Sequence, residues 1–125
     1  MTPIIHKFFF VGERRSPTAI KKNWTWKSGR LAGYTLFEAL KACNIDPATC
    51  NFENWFNGNQ RRIKRASKTH TIVALGKKVS AALVQAEIEH IQLIHPAARG
   101  KIRNKKLYQE HVQQVLIANG LGVRE

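Results

Sequence analysis

Thr71-Ile72-Val73-Ala74-Leu75, stopped by Gly76, is the stretch that decides the fold. It is apolar and β-branched without alternation. A strand with one wet face alternates apolar and polar residues. A continuous apolar run closed by a glycine suits a strand covered on both faces, as in a parallel sheet. A second such run, Lys7-Phe8-Phe9-Phe10-Val11, ends at Gly12. Two weaker runs complete the set. One is Thr49-Cys50-Asn51-Phe52, leading into Asn54-Trp55-Phe56. The other is His90-Ile91-Gln92-Leu93-Ile94, ended by His95-Pro96. Helical stripes lie between and after them: Leu36, Phe37, Leu40 and Cys43; Val79, Ala82, Leu83 and Ala86; Tyr108, Val112, Val115 and Leu116. Asn119-Gly120 marks a stop for the last. Strands alternating with helices predict an α/β fold: three-layer, with a mostly parallel four-stranded sheet and helices on both faces. The 125 residues suit one domain spanning 1–125.

Charge narrows the function. Lys and Arg total 21 against 8 Asp and Glu, a formal charge of +13. Self-repulsion of that size opposes compaction, and a polyanionic partner is the usual reason to retain it. Nucleic acid is the first candidate, because each neutralised phosphate releases counterions. An anionic membrane is the second, but no apolar run approaches the ~18 residues of a transmembrane helix. At the N-terminus the apolar run is only Phe8 to Val11, with no small-residue cleavage site, so no secretory leader is expected. Cys43 and Cys50 fit apolar positions of predicted elements and form no Cys-x-x-Cys or Cys/His metal spacing. They read as reduced core residues, which implies a cytoplasmic protein. The expected partner is DNA, with no membrane, no metal and no cofactor, and the chain is expected to be a monomer. Residues 57–68 carry five basic residues and no acid, Arg61 and Arg62 among them. The segment reads either as a solvated loop, with room for a short helix, or as a phosphate-contacting surface.

In open parallel sheets, ligands bind beyond the carboxyl ends of the strands. The first strand delivers Gly12-Glu13-Arg14-Arg15-Ser16-Pro17 to that rim and the second delivers Asn54-Trp55-Phe56. The third delivers Gly76-Lys77-Lys78, and the fourth delivers His95-Pro96-Ala97-Ala98-Arg99-Gly100. The rim thus collects a carboxylate, a carboxamide, an imidazole and several cations. Gly76-Lys77-Lys78 lacks the earlier glycine and the Ser/Thr of a phosphate-binding P-loop.

Three segments carry a family resemblance: Gly29-Arg30-Leu31-Ala32-Gly33 with a helix ending Cys43-Asn44-Ile45-Asp46, then Thr71 to Gly76, then Leu93-Ile94-His95-Pro96-Ala97. In order and spacing the chain resembles the uracil-DNA glycosylase superfamily, closest to its family four, over roughly Phe8 to Leu116. The resemblance implies an enzyme that flips a base out of DNA and hydrolyses its N-glycosidic bond. His95 matches the histidine that stabilises the departing base, and Asn54 matches the carboxamide that reads its edge. Asn51 is the competing choice if the register shifts, and a turn-forming Asn is the plainer reading of either. Trp26, with Trp24 in reserve, is the aromatic expected to stack on the base; both also suit a lid on the core. Arg99 matches a loop that enters the duplex, and Lys101, Arg103, Lys105 and Lys106 follow as phosphate contacts.

The first motif departs from the family. Family four reads Gly-Glu-Ala-Pro-Gly followed by acids, whereas here Gly12-Glu13 is followed by Arg14 and Arg15 and no carboxylate until Glu38. Glu13 is left as the rim carboxylate to position water, with Glu53 a distant second. Gly12 is the close-approach residue beside it, and Arg14, Arg15 and Lys77 are further DNA contacts. The four cluster-binding cysteines of family four are absent, so no iron–sulfur cluster is expected. The alternatives are a non-catalytic DNA-binding protein on the same fold, or another nucleotide-processing enzyme.

Overall fold

The structure, a computed structural model, describes residues 7–13, 20–23, 32–56, 58–96 and 105–118. Among the described residues four strands are present: β1 Phe8–Gly12, β2 Asn51–Asn54, β3 Thr71–Leu75 and β4 Ile91–Leu93. Four helices accompany them: α1 Ala32–Ala42, α2 Gln60–Ala66, α3 Lys77–Gln85 and α4 Lys105–Ala118. All strands run parallel, in the order β2-β1-β3-β4. This is the α/β sheet that the continuous apolar runs predict.

The sheet separates two apolar layers. Phe8, Phe10, Phe52, Val73, Leu75 and Leu93 point to one side, where Leu36, Ala39 and Leu40 of α1 and Tyr108, Val112 and Leu116 of α4 cover them. Phe10 stacks on Phe52 at 5.3 Å, and Phe37 closes over Phe52 at 5.2 Å. On the other side Phe9, Val11, Ile72 and Ala74 meet Ile63 of α2 and Val79 and Leu83 of α3. Every residue of β1 is therefore buried, because neighbouring positions serve opposite layers.

The helix faces follow from the strand order. The chain steps from β1 outward to β2 through α1, and from β3 outward the other way to β4 through α3. Right-handed crossovers in opposite directions put their helices on opposite faces, and α1 and α3 do lie on opposite faces. The direction of winding reverses between β1 and β3, and a crevice opens there at the strands' carboxyl ends.

Two boundaries differ from the sequence reading. The second strand begins at Asn51, not Thr49. Asp46 caps a short 3-10 turn over Pro47–Thr49 by accepting the Ala48 N–H at 2.9 Å, and that turn consumes the residues assigned to the strand. Cys50 precedes the strand and is buried with Cys43 in the same layer. The fourth strand stops at Leu93 because α4 takes both polar groups of Ile94. Residues 60–66, read as a loop with room for a short helix, form α2, with the Asn59 side chain accepting the Arg62 N–H at 3.1 Å. Asn44, at φ 61, closes α1, and the Ile45 N–H returns to the Leu40 carbonyl at 2.9 Å.

Candidate functional site

A cleft of about 350 Å³ opens at the carboxyl ends of β1, β3 and β4. Its lining includes Glu13, Gly76, Lys77, Lys78, Gln92, Ile94 and His95. That volume lies within the range of small-ligand sites. The two residues expected to do chemistry, Glu13 and His95, thus meet in one cavity although they are 82 positions and three crossovers apart in the chain.

Each is held by the elements beneath it. The sheet's pairing runs past the end of β1: Trp55 N–H donates to the Gly12 carbonyl at 2.8 Å and Phe56 N–H to the Glu13 carbonyl at 3.0 Å. The Glu13 backbone is therefore fixed while its side chain is free to reach the cleft. There its carboxylate lies 3.6 Å from the Lys78 ammonium, an exposed pair. Such pairs are worth about 0–1 kcal/mol, so Lys78 exchanges readily for a stronger anion.

His95 is fixed from two directions. On one side lies Gly76, the turn from β3 into α3, at φ 108 and ψ 166. Its N–H donates to the Leu93 carbonyl at 2.9 Å, extending the β3–β4 pairing into the turn. A Cβ at Gly76 would lie 3.5 Å from the His95 Cβ, so the two backbones pass close together. On the other side α4 clamps the residue before His95. The fully buried Tyr108 donates its hydroxyl to the Ile94 carbonyl at 2.7 Å, and the Ile94 N–H donates to His111 Nε2 at 3.0 Å. Tyr108 and His111 are three apart on one helix face, which lets both reach a single residue. Accepting at Nε2 fixes the neutral His111 ring with its proton on Nδ1.

Burial pushes the His95 pKa below the ordinary imidazole value, and the Glu13 charge only partly opposes it. His95 is therefore neutral at pH 7, with an N–H to donate and no charge to neutralise. Desolvation likewise lowers His111, in keeping with its acceptor role.

The other sequence-derived residues are distributed around this cleft. Gly12 pairs with Asn54 across β1 and β2, so Asn54 is on the rim, buried, at the far edge strand from His95. It does not line the cleft. Asn51 sits at the opposite end of β2, where it meets Arg62 at 3.2 Å and the His70 ring at 3.3 Å. The choice between the two asparagines as the rim residue therefore falls to Asn54. Arg62 is turned onto the framework: it lies 3.7 Å from Glu53 and 5.1 Å from the centre of the Phe9 ring. Glu53 also accepts the Asn54 N–H at 3.0 Å, which takes it away from the cleft. Arg61 and Lys77 are exposed. Trp24, Trp26, Arg14, Arg15, Arg99, Lys101 and Arg103 lie outside the described residues, as does the side chain of Lys105.

The sequence reading put Lys78 on the rim but gave it no role. Tyr108 was legible as an apolar stripe residue, and its hydroxyl contact was not. The one signal for the clamp was a second ring nitrogen, His111, three residues on from a tyrosine that the stripe buries. Among the described residues no three His, Cys, Asp or Glu side chains are placed to hold a metal ion, and no helix is long and apolar enough to cross a membrane. Compared with known protein families and with curated protein sequences, the chain matches none.

Proposed function

We propose that the protein is a DNA glycosylase that flips an altered base such as uracil from DNA and hydrolyses its N-glycosidic bond. The convergence of Glu13 and His95 on one cleft supports this reading, since excision needs both a group for water and a group for the leaving base. Glu13 takes a proton from water as the water oxygen bonds to C1′ of the sugar. The C1′–N bond breaks and its electron pair departs with the base. Neutral His95 donates its N–H to the base oxygen on which negative charge collects. A neutral donor suits this task, because its strength rises with the charge that develops and it binds the uncharged base without excess affinity. Breaking its pair with Glu13 frees Lys78 for a phosphate flanking the flipped nucleotide. The resemblance to uracil-DNA glycosylases through Leu93-Ile94-His95-Pro96-Ala97, from which the role of His95 is taken, points the same way. The proposed site is that of a DNA-directed protein with no membrane role.

A second reading, a DNA-binding protein on the same fold that cleaves nothing, draws on the Glu13–Lys78 pair, which occupies the carboxylate. Base release separates the two. Oligonucleotides carrying uracil, other deaminated bases and bulky modified bases are incubated with the protein and cut in alkali at abasic sites. Excision at one base type, abolished in Glu13→Gln and His95→Ala with DNA binding retained, is the expected result. No cut on any of them by a protein that binds the same DNA would leave the non-catalytic reading.

A further inference from the structure

We infer that α2 carries a phosphate-docking stripe, separate from the cleft, that holds the backbone of duplex DNA. Arg61, Lys64, Arg65 and Lys68 are all exposed. They follow i, i+3, i+4, i+7 and at 3.6 residues per turn fall within roughly a 100° arc. Ser67 keeps helical backbone angles and carries the stripe on to Lys68. Opposite them, Ile63 is fully buried against Phe9 and Val11. The fifth basic residue of the segment, Arg62, is not part of the stripe: it is the strut to Glu53, Asn51 and Phe9 that fixes the helix on the sheet.

Among the described residues no carboxylate neutralises the stripe. From Asn54 to Ala86 the chain has no Asp or Glu, and this segment supplies both helices of one face of the sheet. Glu53, just before it, is engaged by Arg62 and the Asn54 N–H. Among the described residues none of the four stripe cations makes an ion pair. The opposite face is mixed: α1 carries Glu38, paired with Lys41 at 3.7 Å, and α4 carries Glu110. Four cations over about 10 Å of helix, at ~1.5 Å per residue, run alongside about four phosphates of one strand at ~3.4 Å axial spacing.

A membrane surface is the other polyanion open to such a stripe, and the helix is built against it. An interfacial helix buries an apolar face in the headgroup region, whereas the apolar side of α2, Ile63 and Ala66, is used up in the core. Nucleic acid needs only the cations. The inference rests on the reading of the protein as a DNA binder, and not on base excision.

The test is the salt dependence of binding to a short unmodified duplex, which engages the stripe without a base to excise. Each lost phosphate contact lowers the slope of log K against log salt by about 0.9. The R61Q/K64Q/R65Q/K68Q variant is expected to lose about 3.6 from the slope, and the milder R61Q/R65Q about 1.8. Lys41→Gln, on the other face, is expected to change nothing. The double variant covers the case in which the quadruple one fails to fold. An unchanged slope in a folded double variant overturns the inference. So does tighter binding to phosphatidylserine vesicles than to duplex, lost in the same variants. Should the wild type release no base while the stripe variants lose slope, the excision reading fails and the stripe stands.

Discussion

Replacing Gly76 with alanine tests whether the turn from β3 into α3 is held by backbone geometry or by space. Three terms set the outcome. The added Cβ would lie 3.5 Å from the His95 Cβ and 3.9 Å from its Cδ2, ordinary contacts that each gain only about 0.1–0.2 kcal/mol. Sterically, then, alanine fits. The backbone angles decide against it: φ 108 with ψ 166 is a region essentially reserved for glycine, costing another residue about 1–3 kcal/mol. Alanine also stiffens the unfolded chain, which returns about 0.4–1 kcal/mol. The strain wins, and the net loss is about 1–2 kcal/mol. Urea denaturation should show this as a lower midpoint at unchanged m-value. If the protein excises bases as proposed, base release should fall as well, since the turn supports His95. A G76A midpoint equal to wild type would mean that the turn relaxes to ordinary angles, and the account of how His95 is fixed would be wrong.

Tyr108→Phe keeps the packing and removes the hydroxyl from the Ile94 carbonyl, so a loss of about 1–2 kcal/mol is expected in the same assay; no loss would mean that solvent satisfies that carbonyl. Stability should also fall as pH drops below 6.5. His95 and His111 are held below that value in the folded state, so the unfolded chain takes up protons first and their contribution, complete above 6.5, fades as pH approaches the folded values. Urea midpoints from pH 7.5 downward in roughly half-unit steps check this, and a flat profile to pH 5.5, about one unit below the ordinary imidazole value, would contradict it. Gly58→Ala should be more damaging than Gly76→Ala, because its Cβ would collide with the Asn54 carbonyl and the Glu53 carboxylate; a thermal melt within about 0.5 kcal/mol of wild type would refute that. Glu87 sits at φ 59 after α3, and Glu87→Gly should be neutral to stabilising by about 0.5 kcal/mol, with a clear drop in midpoint counting against it.

The sheet was legible because burial on both faces leaves a pattern that needs no partner to be read. Thr71–Leu75 is delimited to the residue by its own side chains and the glycine after it. The start of β2 was not, because Asp46-Pro47 builds a turn whose capping bond competes with the strand for Thr49. Glu13 and His95 were legible as rim residues once strand order was inferred. Contacts between distant elements were beyond reach: nothing local to Lys78 points to Glu13, and nothing local to Arg62 says that it faces Phe9 while Arg61 faces solvent. Helical phase separates those two arginines, and phase depends on where α2 begins.

The placement of β1 bears on how the chain is born. This Phe-rich strand is at the centre of the sheet, pairing Phe9 with Asn51 on one side and Phe8 with Thr71 on the other. It leaves the ribosome before the other three strands and meets its second neighbour, β3, only about 60 residues later. Parallel partners so far apart make for slow folding, since loop closure must precede any reward from pairing. During that wait Phe8-Phe9-Phe10-Val11 is the segment most prone to stick to a neighbouring chain. The surplus of positive charge that the proposed DNA binding would use also keeps unfinished copies apart.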